Sequence, residues 1–246
     1  MRIVVLGGTR FIGRALVTEL EDAGHEVAVV HRGRHENGED GATRHFHLDR
    51  RRLGEHRGEL LGFGPDALID MSAMTAADAE GALAVFDDSV RKVVASSGDV
   101  YRACLSVAEG TVTDRVPLSE NAPLRDGPTP DRDVVLPGWD YDPAAYEKLD
   151  VERLYREQGG IVCRLPMVYG EHDYKRREEL VLRRVRAGRN RIPIGPGDFL
   201  WSRGYAPEIA RGMRLATERA DLGEVFNLAE RDYGEDDVYE KARTTR

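Results

Sequence analysis

Between Ile3 and Gly13 the chain reads Ile-Val-Val-Leu-Gly-Gly-Thr-Arg-Phe-Ile-Gly, a β-branched run that enters a glycine turn and leaves it as a helix. Gly7 permits a tight turn, Gly13 lets the helix pack against the strand, and the free N–H groups at the helix start offer a positive end to an anion. A pyrophosphate suits that arrangement. Arg10 stands where such a fingerprint usually has its second glycine, and a guanidinium there adds charge beside a diphosphate or an adenosine 2′-phosphate. Further on, Val29-Val30-His31-Arg32-Gly33-Arg34 carries no carboxylate where one would accept ribose hydroxyls. The sequence therefore favours NADP over NAD, with Arg32 the main ligand and Arg10 or Arg34 assisting. The alternative for this stretch is a solvated basic loop. Asp49 either receives the adenine amino group or caps the helix behind it.

The elements that must position these residues follow from periodicity. Strands are expected at Arg2–Leu6, Glu26–Val30, Arg44–His47, Ala67–Asp70, Lys92–Ser96 and Ile161–Leu165. Helices fit between them at Phe11–Ala23, Arg50–Leu61, Ala76–Asp88 and Pro143–Gln158. Alternation of this kind predicts an α/β fold of the Rossmann type, a doubly wound parallel sheet with its ligand crevice at the strands' carboxyl ends. The interval 98–142 breaks the rhythm and is expected to be a lid or substrate loop, the other reading being a passive surface insertion. Residues 1–170 are thus expected to form a dinucleotide-binding domain. Residues 171–246, with clear pieces at Ala210–Glu218 and Val225–Leu228, are expected to form a small, abbreviated substrate cap interleaved with the sheet.

Composition removes several function classes. The net charge of −8, from 36 basic and 44 acidic side chains, opposes a general nucleic-acid or anionic-membrane binder. The longest uncharged stretches run seven residues, far short of the roughly 18 a membrane-spanning helix needs. No secretion signal is read at the start, which leads to the expectation of a cytoplasmic protein. Cys104 and Cys163 lack the spacing of a disulfide framework or zinc site. His45 and His47 share one strand face, but without a third ligand nearby in sequence no metal site is expected. The cations at 175–177, 183, 184, 186, 189 and 191 make either a local anion site or a solvated helix face.

With the glycine turn, His31-Arg32, Leu48-Asp49, Ser96-Ser97-Gly98-Asp99-Val100-Tyr101, Lys148-Leu149-Asp150-Val151-Glu152 and Arg164-Leu165-Pro166-Met167-Val168-Tyr169-Gly170 in order, the chain resembles the extended short-chain dehydrogenase/reductases. More narrowly, it is similar to the NAD-dependent epimerase/dehydratase family from Met1 to about Glu230. The Gly-Gly-Thr-Arg-Phe-Ile-Gly turn also resembles an atypical branch that includes chloroplast stem-loop RNA-binding proteins. The resemblance implies a cofactor set of Gly7, Thr9, Arg10, Phe11, Ile12, Gly13, Arg32, Asp49, Ala73 and Lys148. It also implies that Ser97 orients the substrate oxygen and that a tyrosine four residues before Lys148 exchanges the proton. That position is Ala144.

Tyr141, just outside an Asp142-Pro143 helix start, is the replacement the sequence favours. Tyr146, two residues from Lys148 on one continuous helix, would project about 200° away from it. Tyr101 and Asp99 are further candidates beside Ser97. The expected activity is that of an NAD(P)-dependent oxidoreductase or epimerase acting on a hydroxyl or keto carbon of a sugar-like, phosphorylated or nucleotide-linked metabolite, in a protein working as a homodimer. The alternative, motivated by Ala144, is a catalytically silent NADP-binding protein that senses redox state or binds a partner or RNA.

Overall fold

The computed structural model describes residues 1–33, 43–108, 110, 111, 113–128, 142–189, 191 and 202–229. The elements run β1 (Arg2–Leu6), α1 (Phe11–Asp22), β2 (Glu26–His31), β3 (Arg44–His47), a 3-10 segment (Arg50–His56) leading into α2 (Arg57–Gly62), β4 (Ala67–Asp70), α3 (Ala76–Leu83) and β5 (Arg91–Ser97). They continue through α4 (Arg102–Ala108), α5 (Lys148–Glu157), β6 (Ile161–Leu165), β7 (Met167–Tyr169), α6 (Glu179–Arg186), β8 (Arg203–Tyr205), α7 (Ala206–Arg219) and β9 (Val225–Asn227).

Seven strands make one parallel sheet in the order β3-β2-β1-β4-β5-β6-β9, and β7 pairs with β8 in a separate parallel ladder. The chain winds outward from β1 through β2 to β3, then returns to β4 and winds the other way. The strand order thus reverses between β1 and β4, where doubly wound sheets open their ligand crevice.

Alternation along the central strands separates two cores. Val4 and Leu6 of β1 join Leu68, Val94, Val151 and Tyr155 beneath α2, α3 and α5. Ile3 and Val5 join Leu16, Leu20, Ile209 and Met213 beneath α1 and α7. A strand buried on both faces has no polar face to show, which explains the uninterrupted apolar runs. Within 98–128 the chain is not structureless. It forms α4, and Tyr101 makes an antiparallel bridge with Leu124.

Candidate active site

The glycine turn is made by backbone packed on backbone. Gly7 adopts φ +89°, a conformation costly for any residue with a side chain, and its N–H donates to Val30 O at 3.3 Å. A Cβ on Gly13 would lie 2.0 Å from Gly7 O, and one on Gly8 would lie 2.8 Å from Val17 and Val29. Helix α1 can therefore approach β1 only without those atoms. Arg10 is its N-cap yet makes no capping hydrogen bond, and no acid stands in the first turn. No capping side chain of Arg10 competes for the first-turn amides, which can donate to an anion. Phe11 and Gly13 are buried, while Thr9 and Ile12 are half-buried. The Arg10 guanidinium lies 4.5 Å from the Tyr174 ring centre, and the same ring meets Phe11 edge-on.

Beside the turn, the 3-10 segment supplies a residue that the periodicity assigned only to a helix. Arg50 donates to both Asp70 oxygens at 2.9 Å, to Ser72 Oγ at 2.7 Å and to Asp78 O at 2.8 Å. Tyr155 donates to Asp70 Oδ2 at 2.8 Å. Burial pushes the Asp70 carboxyl up, but the Arg50 charge outweighs it and holds the group below its ordinary value. These contacts lock the end of β4 and the start of α3 under Gly7.

At the outer end of the crevice, Arg32 follows β2 and is exposed. Asp49 caps the 3-10 segment by accepting from Arg51 N at 2.9 Å. Arg51 holds its carboxyl well below the usual range despite some desolvation, with Arg32 adding to the effect. The cap that the sequence allows for Asp49 is present. His31 joins the two strand histidines, donating or accepting across 2.8 Å between its Nε2 and His45 Nδ1, with its ring centre 4.7 Å from that of His47. Among the described residues no group of three or more His, Cys, Asp or Glu side chains could hold a metal.

The other side of the crevice is the corner where β5 meets α5. Ser97 ends β5, and its Oγ accepts from Asp99 N at 3.3 Å. Lys148 opens α5, and its Nζ donates to Ala73 O at 2.5 Å and Ala95 O at 3.0 Å. Burial pushes its ammonium down to about 8, although Asp99 and Asp70 oppose the shift. Ala73 is thereby buried against the lysine. Ala144 is exposed, and Tyr141 lies outside the described residues.

Tyr146 is placed differently from the sequence expectation. Pro143–Ala145 form a separate 3-10 turn capped by Asp142, Tyr146 is extended at φ −63° and ψ 117°, and α5 begins only at Lys148 with Glu147 as N-cap. Tyr146 therefore lies off the helix, and rotation about the α5 axis does not set its direction. Its hydroxyl donates to Asp99 Oδ2 at 2.7 Å. Arg125, whose side chain is fully buried, donates from Nε to Asp99 O at 3.0 Å and pairs with the Glu147 carboxylate. Sequence periodicity had no signal for this clamp, since Arg125 sits in the long interval.

Tyr101 is tied into buried contacts. It is buried at 3% exposure, donates to Asn227 Oδ1 at 2.6 Å and accepts from Arg164 Nη1 at 2.9 Å. Arg164 forms a two-pronged pair with Glu152 at 3.0 and 2.7 Å, and Ser96 donates to the same carboxylate at 2.6 Å. Glu152 is thus part of a buried pillar joining β5, α5, β6 and β9. In the basic stretch, Arg177 pairs with Asp173, and Arg176 and Arg186 pair with Glu179, while Arg203 of β8 pairs with Glu178.

The strand order and the glycine turn define a doubly wound α/β fold. Residues 3–229 match the sequence model of the NAD dependent epimerase/dehydratase family, and the chain belongs to that family. It is 27% identical over 252 residues to the chloroplast stem-loop binding protein of 41 kDa b of Arabidopsis thaliana, covering 94% of this chain and 59% of that protein. The chain thus spans about three fifths of that curated relative's length. Among solved structures, the dTDP-glucose 4,6-dehydratase of Bacillus anthracis in complex with NAD aligns with a TM-score of 0.69 at 16% identity, over 99% of this chain and 80% of that one. The UDP-glucose 4-epimerase of Thermotoga maritima with UDP-glucose aligns with a TM-score of 0.66 at 20% identity, over 93% and 77%. At these identities the structures establish the fold.

Proposed function

We propose that this protein binds NADP at the Gly7–Gly13 turn and carries out oxidoreductase or epimerase chemistry on a hydroxyl or keto carbon of a sugar-like, phosphorylated or nucleotide-linked metabolite. The observation that carries this reading is the meeting, at one carboxyl edge, of an uncapped phosphate turn with the Ser97, Asp99, Tyr146 and Lys148 side chains. Thr9, Phe11 and Ile12 line the diphosphate, Arg10 and Arg32 meet phosphate charge, and Asp49 and Ala73 border the adenine and the nicotinamide ends. Lys148 holds the nicotinamide ribose, and Ser97 orients the substrate oxygen. When bound, the dinucleotide gives or takes a hydride. NAD bound to structural neighbours supports the dinucleotide class. Exposed Arg32, in place of an acid, supports NADP within it.

Residues 171–246 act as the substrate cap. A homodimer in the cytoplasm completes the reading, the free Cys104 and Cys163 supporting a reducing compartment. The curated relative favours a second reading, a silent dinucleotide-binding protein with a partner or RNA as target.

The test mixes purified protein with NADPH and a panel of ketones and nucleotide sugars. Turnover of a panel member supports the enzyme, and tight cofactor binding without turnover supports the silent reading. Arg32→Ala is expected to weaken NADPH about tenfold and to leave NADH within about twofold, as loss of one guanidinium–phosphate contact would do. Equal losses for both overturn the NADP assignment.

A further inference from the structure

The tyrosine that family resemblance requires four residues before Lys148 is absent, and exposed Ala144 cannot move a proton. Yet the corner contains a phenol and a carboxyl in direct contact. Tyr146 Oη donates to Asp99 Oδ2 at 2.7 Å, and Asp99 N donates to Ser97 Oγ at 3.3 Å. Asp99 Oδ1 is buried and has no hydrogen-bond partner among the described residues. A buried acceptor left in that state is rare and costly, and a catalytic role for its carboxyl is one explanation. We propose that Tyr146 and Asp99 form the proton-transfer pair of this site, Tyr146 as the residue that touches the substrate oxygen and Asp99 as the acceptor behind it.

The direction of the hydrogen bond dictates the step. In the oxidation direction the substrate O–H bond breaks and its proton goes to Tyr146 Oη. The phenol's own proton passes to Asp99 Oδ2 at the same time, so Tyr146 ends neutral and Asp99 ends protonated. The electron pair of the substrate C–H bond leaves as hydride to the nicotinamide named above, and the C–O bond becomes a carbonyl. Reduction runs the same path backward.

The surroundings suit this use. Burial pushes the Asp99 carboxyl above its ordinary value, while hydrogen bonds from Tyr146 and Ser97 and the charges of Lys148 and Arg125 pull the other way. Cys104, from α4, donates its thiol to Gly98 O at 2.9 Å, at the residue before Asp99. Arg125 grips Asp99 through its backbone oxygen and Tyr146 through the neighbouring Glu147, so both halves of the pair hang from one buried guanidinium. The two-residue extended break between the 143–145 turn and α5 puts the phenol there. A continuous helix would have turned it away.

The proposal rests on the dinucleotide reading above, and the experiment separates the two. Protein labelled with 13C at aspartate carboxyls is titrated by NMR, with Asp99→Asn assigning the resonance. The Asp99 midpoint is expected above the ordinary aspartate value, and Tyr146→Phe is expected to raise it further by removing a donor to the carboxylate. A midpoint at the ordinary value, unmoved by Tyr146→Phe, overturns the pair whether or not a dinucleotide binds. In the NADPH panel, Tyr146→Phe and Asp99→Asn are expected to lower kcat by at least about 100-fold, with NADPH affinity held within about twofold. Asp99→Asn is further expected to remove the acid limb of the kcat/KM pH profile. Overturning results are turnover retained within about twofold in either variant, a loss confined to Tyr141→Phe, or NADPH binding by the wild type with no turnover across the panel. Absence of any dinucleotide binding by the wild type overturns the functional reading itself, and the NMR arm still judges the pair.

Discussion

The glycine turn and the β5–α5 corner share one edge of the sheet but are held by different forces. At the turn, carbonyl and Cα meet Cα, and a single added Cβ on Gly13 would sit 2.0 Å from Gly7 O. At the corner, the backbone is spaced apart and side chains span the gap: Arg125 to Glu147, Tyr146 to Asp99, Lys148 to two carbonyls. A site made of backbone contact cannot change without losing the packing that creates it. A site made of side chains tolerates the change of one, and here position 144 holds Ala where the family resemblance expects a phenol, while Tyr146 stands nearby against Asp99.

Substitutions in the two regions should therefore fail in different ways. Arg164→Ala, in the pillar behind the corner, is expected to cost the most, about 4 kcal/mol by urea unfolding, because it strands the buried Glu152 carboxylate. A loss below about 1 kcal/mol would show that the pillar is wet and not structural. Gly13→Ala is expected to cost about 3 kcal/mol, since the backbone must yield, and to weaken dinucleotide binding by more than about 100-fold. Near-normal stability and affinity in that variant would dissolve the distinction between the regions.

Lys148 sharpens the comparison through pH. Its folded-state value of about 8 lies below the ordinary 10.5, so between those limits the unfolded chain holds a proton that the folded chain has released. Stability contributed by this group accordingly rises with pH across that window, by at most about 3 kcal/mol, and is flat below it. The difference in unfolding free energy between wild type and Lys148→Met, followed from pH 7 to about pH 10.5, should show that rise. A parallel pair of curves would place the ammonium in solvent.

Much of the fold was legible because its central strands are buried on both faces and read as apolar runs, whereas the edge strand Arg44–His47 buries only Phe46. The runs at Arg2–Leu6, Arg44–His47, Ala67–Asp70 and Ile161–Leu165 have the observed bounds, and the turn at Gly7 stands where the pattern placed it. The corner was less legible for a physical reason. Apolar periodicity carries through Pro143–Gln158 and does not register two extended residues, Tyr146 and Glu147, in its middle. The Arg50–Asp70–Asp78–Tyr155 cluster and the meeting of His31 with His45 join residues remote in sequence, and only the crossovers of the sheet bring them together. Arg125 was hidden likewise, its partners lying on β5's end and on the cap of α5.

The central claim is that the first helix's amino end receives a diphosphate whose adenosine ribose carries a further phosphate. Isothermal titration of the wild-type protein with NADPH tests it most directly. Saturable one-to-one binding in the micromolar range, tighter than that of NADH, is the predicted result. Lack of measurable heat with either nucleotide at millimolar concentration would contradict it.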